Sequence, residues 1–217
     1  MRIRKNNKGF SLVELIIVIA IMAILSAVIG LAIIRYIAKA RKAHDIAAAD
    51  ALGASVSAAL SANDDMNEFI EWNVAELIKG NGKNTDNYRV LGYSSVATGN
   101  TGNKYNVLFK SNNIGASHAE AKAAAIDFAN FMNNDMGDRL VSMKFNQFSK
   151  IDQWIICIDR LGNISVWVGA GFNGNQWTID GNTHMAKNHS GKMVHYYMLW
   201  PEVDKAYERL NRPSDAD

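Results

Sequence analysis

From Leu12 to Ile34 the chain is apolar on every side, with Glu14 and Ser26 as its only clearly polar residues. At 1.5 Å per residue this stretch makes a helix of about 34 Å, enough to cross a hydrocarbon core of about 30 Å. The pattern then changes. Arg35 to Asp45 mixes charges with good helix formers, and alanines continue to Ala62 without a proline, so one helix is expected from Phe10 to about Ala62, roughly 80 Å long. Arg41 and Asp45 stand four apart and Lys42 and Asp45 three apart, spacings that support a helix by about 0.2 to 0.5 kcal/mol each. The outer half, residues 35–62, reads as amphipathic, with Ala47, Ala51, Leu52, Ala54, Ala58 and Ala59 expected to rest on a globular domain formed by residues 63–217.

Beyond Asn63 the periodicity is mixed. Asp65-Met66-Asn67-Glu68 has the form of a capping box, and Met66, Phe69, Ile70, Val74, Leu77 and Ile78 recur at helical spacing until Gly80, predicting a second helix. Ser117 to Glu120 opens a third, with Ala121, Ala124, Phe128, Phe131 and Met132 on one face and an end near Gly137. Tyr88 to Val96 and Lys104 to Lys110 read as strands around the turn-rich Thr98 to Asn103. Leu140 to Phe148, Gln153 to Ile158 and Asn163 to Val168 extend an antiparallel sheet, with Asp159 to Gly162 as the turn between the last two. Trp154 to Ile158 is continuously apolar, so that strand is expected to be covered on both faces, with Cys157 in the core. Gln176 to Ile179 and Met193 to Trp200 add strands, and Glu202 to Leu210 a short terminal helix. The fold class is α+β: a long N-terminal helix whose outer half packs on a domain with an antiparallel sheet and additional helices.

Glu14 is the costly residue. An acid at the centre of a span costs roughly 3 kcal/mol on insertion scales, while each Leu, Ile, Phe or Val returns about 0.3 to 0.6, so insertion still wins. An ionisable group in a span is a functional hypothesis, and a cation is its natural partner. A cut between Gly9 and Phe10 would create one, the α-amine of Phe10, one helical turn from Glu14.

Lys8-Gly9-Phe10-Ser11-Leu12-Val13-Glu14-Leu15, behind a leader carrying Arg2, Arg4 and Lys5, resembles the N-terminal signature of the type IV pilin and pseudopilin family. The resemblance extends through the apolar residues that follow. It implies that residues 1–9 are a leader removed by prepilin peptidase, with Gly9 before the cut, Phe10 as the N-methylated new terminus, and Glu14 as the acid that receives an incoming subunit. It also implies a membrane precursor held by residues 10–34, then a cell-surface filament whose partners are other pilin or pseudopilin subunits. The implied role is structural, not enzymatic: a pilus-like filament subunit or, alternatively, a pseudopilin of a secretion or DNA-uptake machine. From a different class, the alternative is a binding protein or enzyme that uses the span only as an anchor. Many members carry a proline near the outer end of the span; this chain has Gly30, which permits bending without enforcing it. Close packing between spans explains that glycine equally well.

Charge changes the picture in one respect. Removing the four leader cations takes the formal charge from +2 to about −2, so the basic precursor is no sign of nucleic-acid binding. Cys157 is the single cysteine, which precludes an intramolecular disulfide and departs from the many pilins closed by one. No cofactor is expected. No metal is expected either: His184, His189 and His195 lie near Asp180, but their spacing matches no metal motif and exposed loop histidines explain them. Asp64 and Asp65, or Asn173 and Asn175, are read as caps and turns ahead of calcium ligands. Gly169 to Gly174 is read as a hairpin turn, and Trp167, Phe172, Trp177, Tyr196, Tyr197 and Trp200 mostly as core.

Overall fold

A computed structural model describes residues 10–61, 65–79, 86–96, 107–111, 118–136, 151, 153–169, 172, 178–187 and 191–210. The chain divides into two compact units, residues 1–40 and 41–217. The first contains the inner part of helix α1 (Leu12–Ser61). There the described apolar side chains between Phe10 and Ile37 are exposed on all sides of the helix, and Gly30 has no neighbouring atom within 4 Å of where a Cβ would stand. Every backbone group in the interior of such a helix is satisfied within the segment, which is the condition for crossing hydrocarbon.

The second unit begins with the outer part of α1 and continues through α2 (Asp65–Lys79), β1 (Asp86–Val96), β2 (Val107–Ser111) and α3 (Ala119–Met136). It is completed by β3 (Gln153–Asp159), β4 (Ile164–Gly169), β5 (Thr178–Asp180), β6 (Met185–Lys187), β7 (Met193–His195), β8 (Tyr197–Trp200) and α4 (Lys205–Arg209). The main sheet runs β2-β1-β3-β4-β8, and all its pairs are antiparallel. β1 is long enough to serve two partners along one edge: Asp86 to Arg89 pair with β5, and Gly92 to Val96 with β2. A register shift between Val90 and Gly92 separates the two stretches. β6 and β7 form a small sheet of their own.

Strand β3 shows why this half folds. Trp154 to Ile158 are all buried, as their unbroken apolar run predicts. Successive side chains alternate, so Ile155 and Cys157 fall on one face and Trp154, Ile156 and Ile158 on the other. The first face joins Val90, Tyr93, Trp167, Phe172, Ile179, Ala186 and Tyr196 in one core cluster. The second is the helical side, where α2 contacts β1 and β3, and α3 contacts β2 and α2. Phe69 of α2 and Phe128 of α3 bring their rings to 5.6 Å. The turn from β3 to β4 is held by Asp159, whose carboxylate accepts from the backbone N–H groups of Leu161 and Asn163 and from the Asn163 side chain, each at 2.8 Å. Gly162 supplies the left-handed residue, at φ 85°.

The outer part of α1 buries Asp45, Ala49, Leu52, Gly53, Val56, Ala59 and Leu60. These positions advance by three or four residues, one stripe of a helix. Of the predicted contact residues, Leu52 and Ala59 lie on this stripe, whereas Ala47, Ala51, Ala54 and Ala58 are exposed. Small size alone does not set the phase. The stripe is fixed by Gly53, where a Cβ would enter the Trp200 indole, and by the polar anchor at Asp45. The Tyr207 hydroxyl lies 3.5 Å from Asp45 Oδ2, and Lys42 Nζ donates to the Glu208 carbonyl at 3.1 Å and to the Leu210 carbonyl. Burial and the neighbouring Asp45 push the Tyr207 hydroxyl far above its ordinary value, so it remains protonated.

Other elements shift from their predicted bounds. Met193 to Trp200 is not one strand: it breaks at Tyr196, and its halves join different sheets because Tyr196 N–H bonds to the His184 carbonyl at 2.8 Å. β6 was not anticipated, being too short to display periodicity. In α2 the buried stripe is Met66, Phe69, Asn73 and Leu77, with Ile78 exposed; in α3, Phe131 is the most exposed of its predicted face. The predicted strand Leu140 to Phe148 and the loop Thr98 to Asn103 lie outside the described residues.

Candidate functional site

Among the described residues, two places gather chemistry. The first is the start of α1. Phe10 is 87% exposed, and the helix opens at Leu12 with Ser11 ahead of it. Glu14 Oε2 accepts from the Ser11 backbone N–H at 2.9 Å, and Leu15 N–H bonds to the Ser11 carbonyl at 3.2 Å. Ser11-Leu12-Val13-Glu14 thus has the spacing of a capping box, with the N3 acid reaching back to the N-cap backbone. The spacing is visible in the sequence, where the same acid also stands out as a charge in an apolar run. Glu14 also stands in the first turn, where a negative charge complements the helix dipole by about 0.3 to 1 kcal/mol. Gly9 lies outside the described residues.

This helix is long and apolar enough to cross a membrane, and it lies near the amino end of the chain with Glu14 in its first turn. Residues 4–30 match the model for the prokaryotic N-terminal methylation motif, the signal of type IV pilin and pseudopilin precursors. Neither the curated proteins nor the solved structures contain a match to the chain.

The second place lies at the far end of the core cluster. His184 follows the β5 turn, in which Asp180 Oδ1 accepts from the N–H groups of Asn182 and Thr183 at 2.8 and 2.7 Å. His184 itself takes φ 54°, a left-handed conformation that histidine adopts more readily than most residues. His195 ends β7 in register with Met185. Asp204 caps α4, its Oδ1 accepting from Ala206 N–H at 2.8 Å. Its Oδ2 turns the other way, 2.8 Å from His184 Nδ1 and 3.6 Å from His195 Nε2. Only 25%, 30% and 11% of the His184, His195 and Asp204 side chains are exposed.

The histidines are therefore not free loop residues, and their carboxylate is Asp204, not Asp180, which is occupied with its own turn. Sequence spacing could not show this, since Asp204 approaches through the β8 to α4 connection. His189, Asp64, Asn173 and Asn175 lie outside the described residues. Burial would raise the Asp204 carboxyl, but the Ala206 N–H, the His184 hydrogen bond and the charges of both histidines hold it below its ordinary value. Burial pushes the His195 imidazole down despite Asp204 beside it. His195 Nε2 is buried and makes no hydrogen bond among the described residues. Leaving such a nitrogen unmet costs about 1 to 3 kcal/mol.

Cys157 is fully buried, and burial pushes its thiol well above the ordinary value. It is core, as its place in an apolar strand predicts. Trp167, Phe172, Tyr196 and Tyr197 are likewise buried. Tyr93 and Phe172 meet edge to face at 4.9 Å, and Gln153 fixes Phe172 by accepting from its N–H at 2.6 Å and donating to its carbonyl at 2.8 Å.

Proposed function

We propose that the chain is a structural subunit of a type IV pilus-like filament, held in the membrane as a precursor and assembled through α1 after its leader is removed. The observation that carries this reading is the methylation motif at residues 4–30 laid over the inner part of α1, which is apolar around its whole circumference. A helix with no polar face needs a wholly apolar environment: lipid before assembly, other copies of the same helix after it. In this reading residues 1–9 are the leader, 10–34 the membrane and assembly segment, 35–62 the outer helix and 63–217 the displayed domain. Prepilin peptidase cuts between Gly9 and Phe10 and the Phe10 amine is methylated. The pseudopilin of a secretion or DNA-uptake machine shares every one of these steps and differs in filament length and partners.

Glu14 supplies the register. A carboxylate in an apolar bundle is costly unless it meets a cation, and the Phe10 ammonium of a neighbouring subunit is the one that processing creates. The substitutions at this position separate two roles. Glu14→Gln retains an oxygen for the Ser11 N–H and so preserves the cap, but it loses the charge. Glu14→Ala loses both. At equal membrane levels both variants are expected to lose most filament yield while inserting normally, and N-terminal mass analysis of wild-type filaments is expected to show methylated Phe10. Wild-type filament yield from Glu14→Gln would mean that Glu14 only caps its helix. An intact leader on filament subunits would overturn the processing scheme.

A further inference from the structure

We infer that His184, His195 and Asp204 form a divalent transition-metal site, with zinc as its natural occupant, that fastens the β8 to α4 connection to the β5 to β7 region. One ligand atom from each residue lies within 4.8 Å of the other two. Tetrahedral zinc at about 2.0 to 2.1 Å from nitrogen and oxygen places its ligand atoms about 3.3 Å apart. The 2.8 and 3.6 Å separations from Asp204 Oδ2 bracket that value, and the edge between the two histidine nitrogens is within 4.8 Å.

Each ligand is already oriented. Asp204 commits Oδ1 to the Ala206 N–H and presents Oδ2 to the histidines. The His184 ring stands edge-on to Trp167 at 4.9 Å, and that of His195 lies 4.5 Å from Tyr197. The two histidine backbones are tied through the Tyr196 N–H bond to the His184 carbonyl and through the Met185 to His195 register. Such supporting contacts are what holds metal ligands in place.

A simple ion pair does not account for the arrangement. It would use His184 and Asp204 at 2.8 Å and hold the buried His195 Nε2 only by a long 3.6 Å ion-pair contact to the same oxygen. A metal between the three satisfies that nitrogen. Two imidazoles with one carboxylate favour zinc and its neighbours over calcium or magnesium, which take oxygen ligands. Three protein ligands leave the fourth position to water. Such a site runs against the expectation, drawn from spacing alone, that these histidines hold no metal.

The test uses the full chain in detergent, purified through a histidine-free tag and stripped with chelator. Titration calorimetry with zinc is expected to give about one ion per chain, and zinc to raise the melting temperature of the globular unit by several degrees, reversibly with chelator. Calcium and magnesium are expected to do neither. His195→Gln should weaken zinc binding at least tenfold, the scale on which even supporting contacts act, and abolish the zinc-dependent shift while leaving the metal-free melting temperature unchanged or higher. Asp204→Asn, which keeps the helix-capping oxygen, gives a second reading should His195→Gln fail to fold. His118→Gln, outside the cluster, should bind as wild type. Absence of zinc binding by the wild-type chain at tenfold molar excess, or undiminished binding by His195→Gln and Asp204→Asn, would overturn the assignment.

Discussion

The two halves of α1 share one backbone geometry and follow opposite sequence rules. Its inner half carries apolar side chains all round, exposed wherever they are described, and its glycine at position 30 has nothing within 4 Å of where a Cβ would stand. The outer half confines burial to a single stripe, and its glycine at position 53 lies against an indole with no room for a methyl group. The same residue type in the same helix thus has two meanings. In the inner half no internal contact fixes any one side chain, and in the proposed role its surroundings are lipid or other subunits. In the outer half the surroundings belong to the chain itself, and each stripe position has a particular neighbour.

Substitutions placed in matching pairs can break this contrast. The largest difference is expected for leucine truncation. Leu52→Ala should destabilise the globular unit by about 3 kcal/mol, because Leu52 is almost wholly buried and the cavity adds to the lost transfer energy. Leu25→Ala should leave it within about 0.5 kcal/mol, measured by denaturant unfolding of the full chain in detergent. Equal losses from the two would show that the inner half contributes to the fold. Next come the glycines: Gly53→Val should cost about 2 kcal/mol through overpacking against Trp200, while Gly30→Val should leave domain unfolding unchanged. A neutral Gly53→Val would place Trp200 away from the helix.

The smallest effect is at the polar anchor. Tyr207→Phe should cost about 1 kcal/mol or less, since the bond from its hydroxyl to Asp45 is long, yet the loss should appear in the domain and not in membrane insertion. A larger loss than that of Leu52→Ala would make the anchor, and not the apolar stripe, the main attachment of the outer helix.

How much of this was legible in the sequence follows from the range of the interactions involved. The inner helix is written in composition, because its surroundings are uniform and no partner has to be identified. β3 is written in five consecutive apolar residues, and the turn after it in Asp159 and Gly162. The stripe of the outer helix was only half legible: Leu52 and Ala59 announce themselves, but a buried aspartate and a glycine are set by Tyr207 and Trp200, which lie far along the chain. The grouping of His184, His195 and Asp204 was not legible at all. It depends on Tyr196 interrupting what reads as one strand, and no local pattern signals that break.

Cys157 has a consequence of a mechanical kind. The chain's one thiol sits at the middle of β3, paired with Val90 on one side and Ser165 on the other, and fully shielded. In the proposed filament, stretching a subunit until β3 parts from β1 or β4 would expose that sulfur, and an alkylating reagent present at that moment would mark it permanently. Labelled fraction then becomes a cumulative record of how often force has opened the domain, readable by mass after the load is gone. Filaments sheared in the presence of such a reagent should carry the mark, and filaments at rest should not.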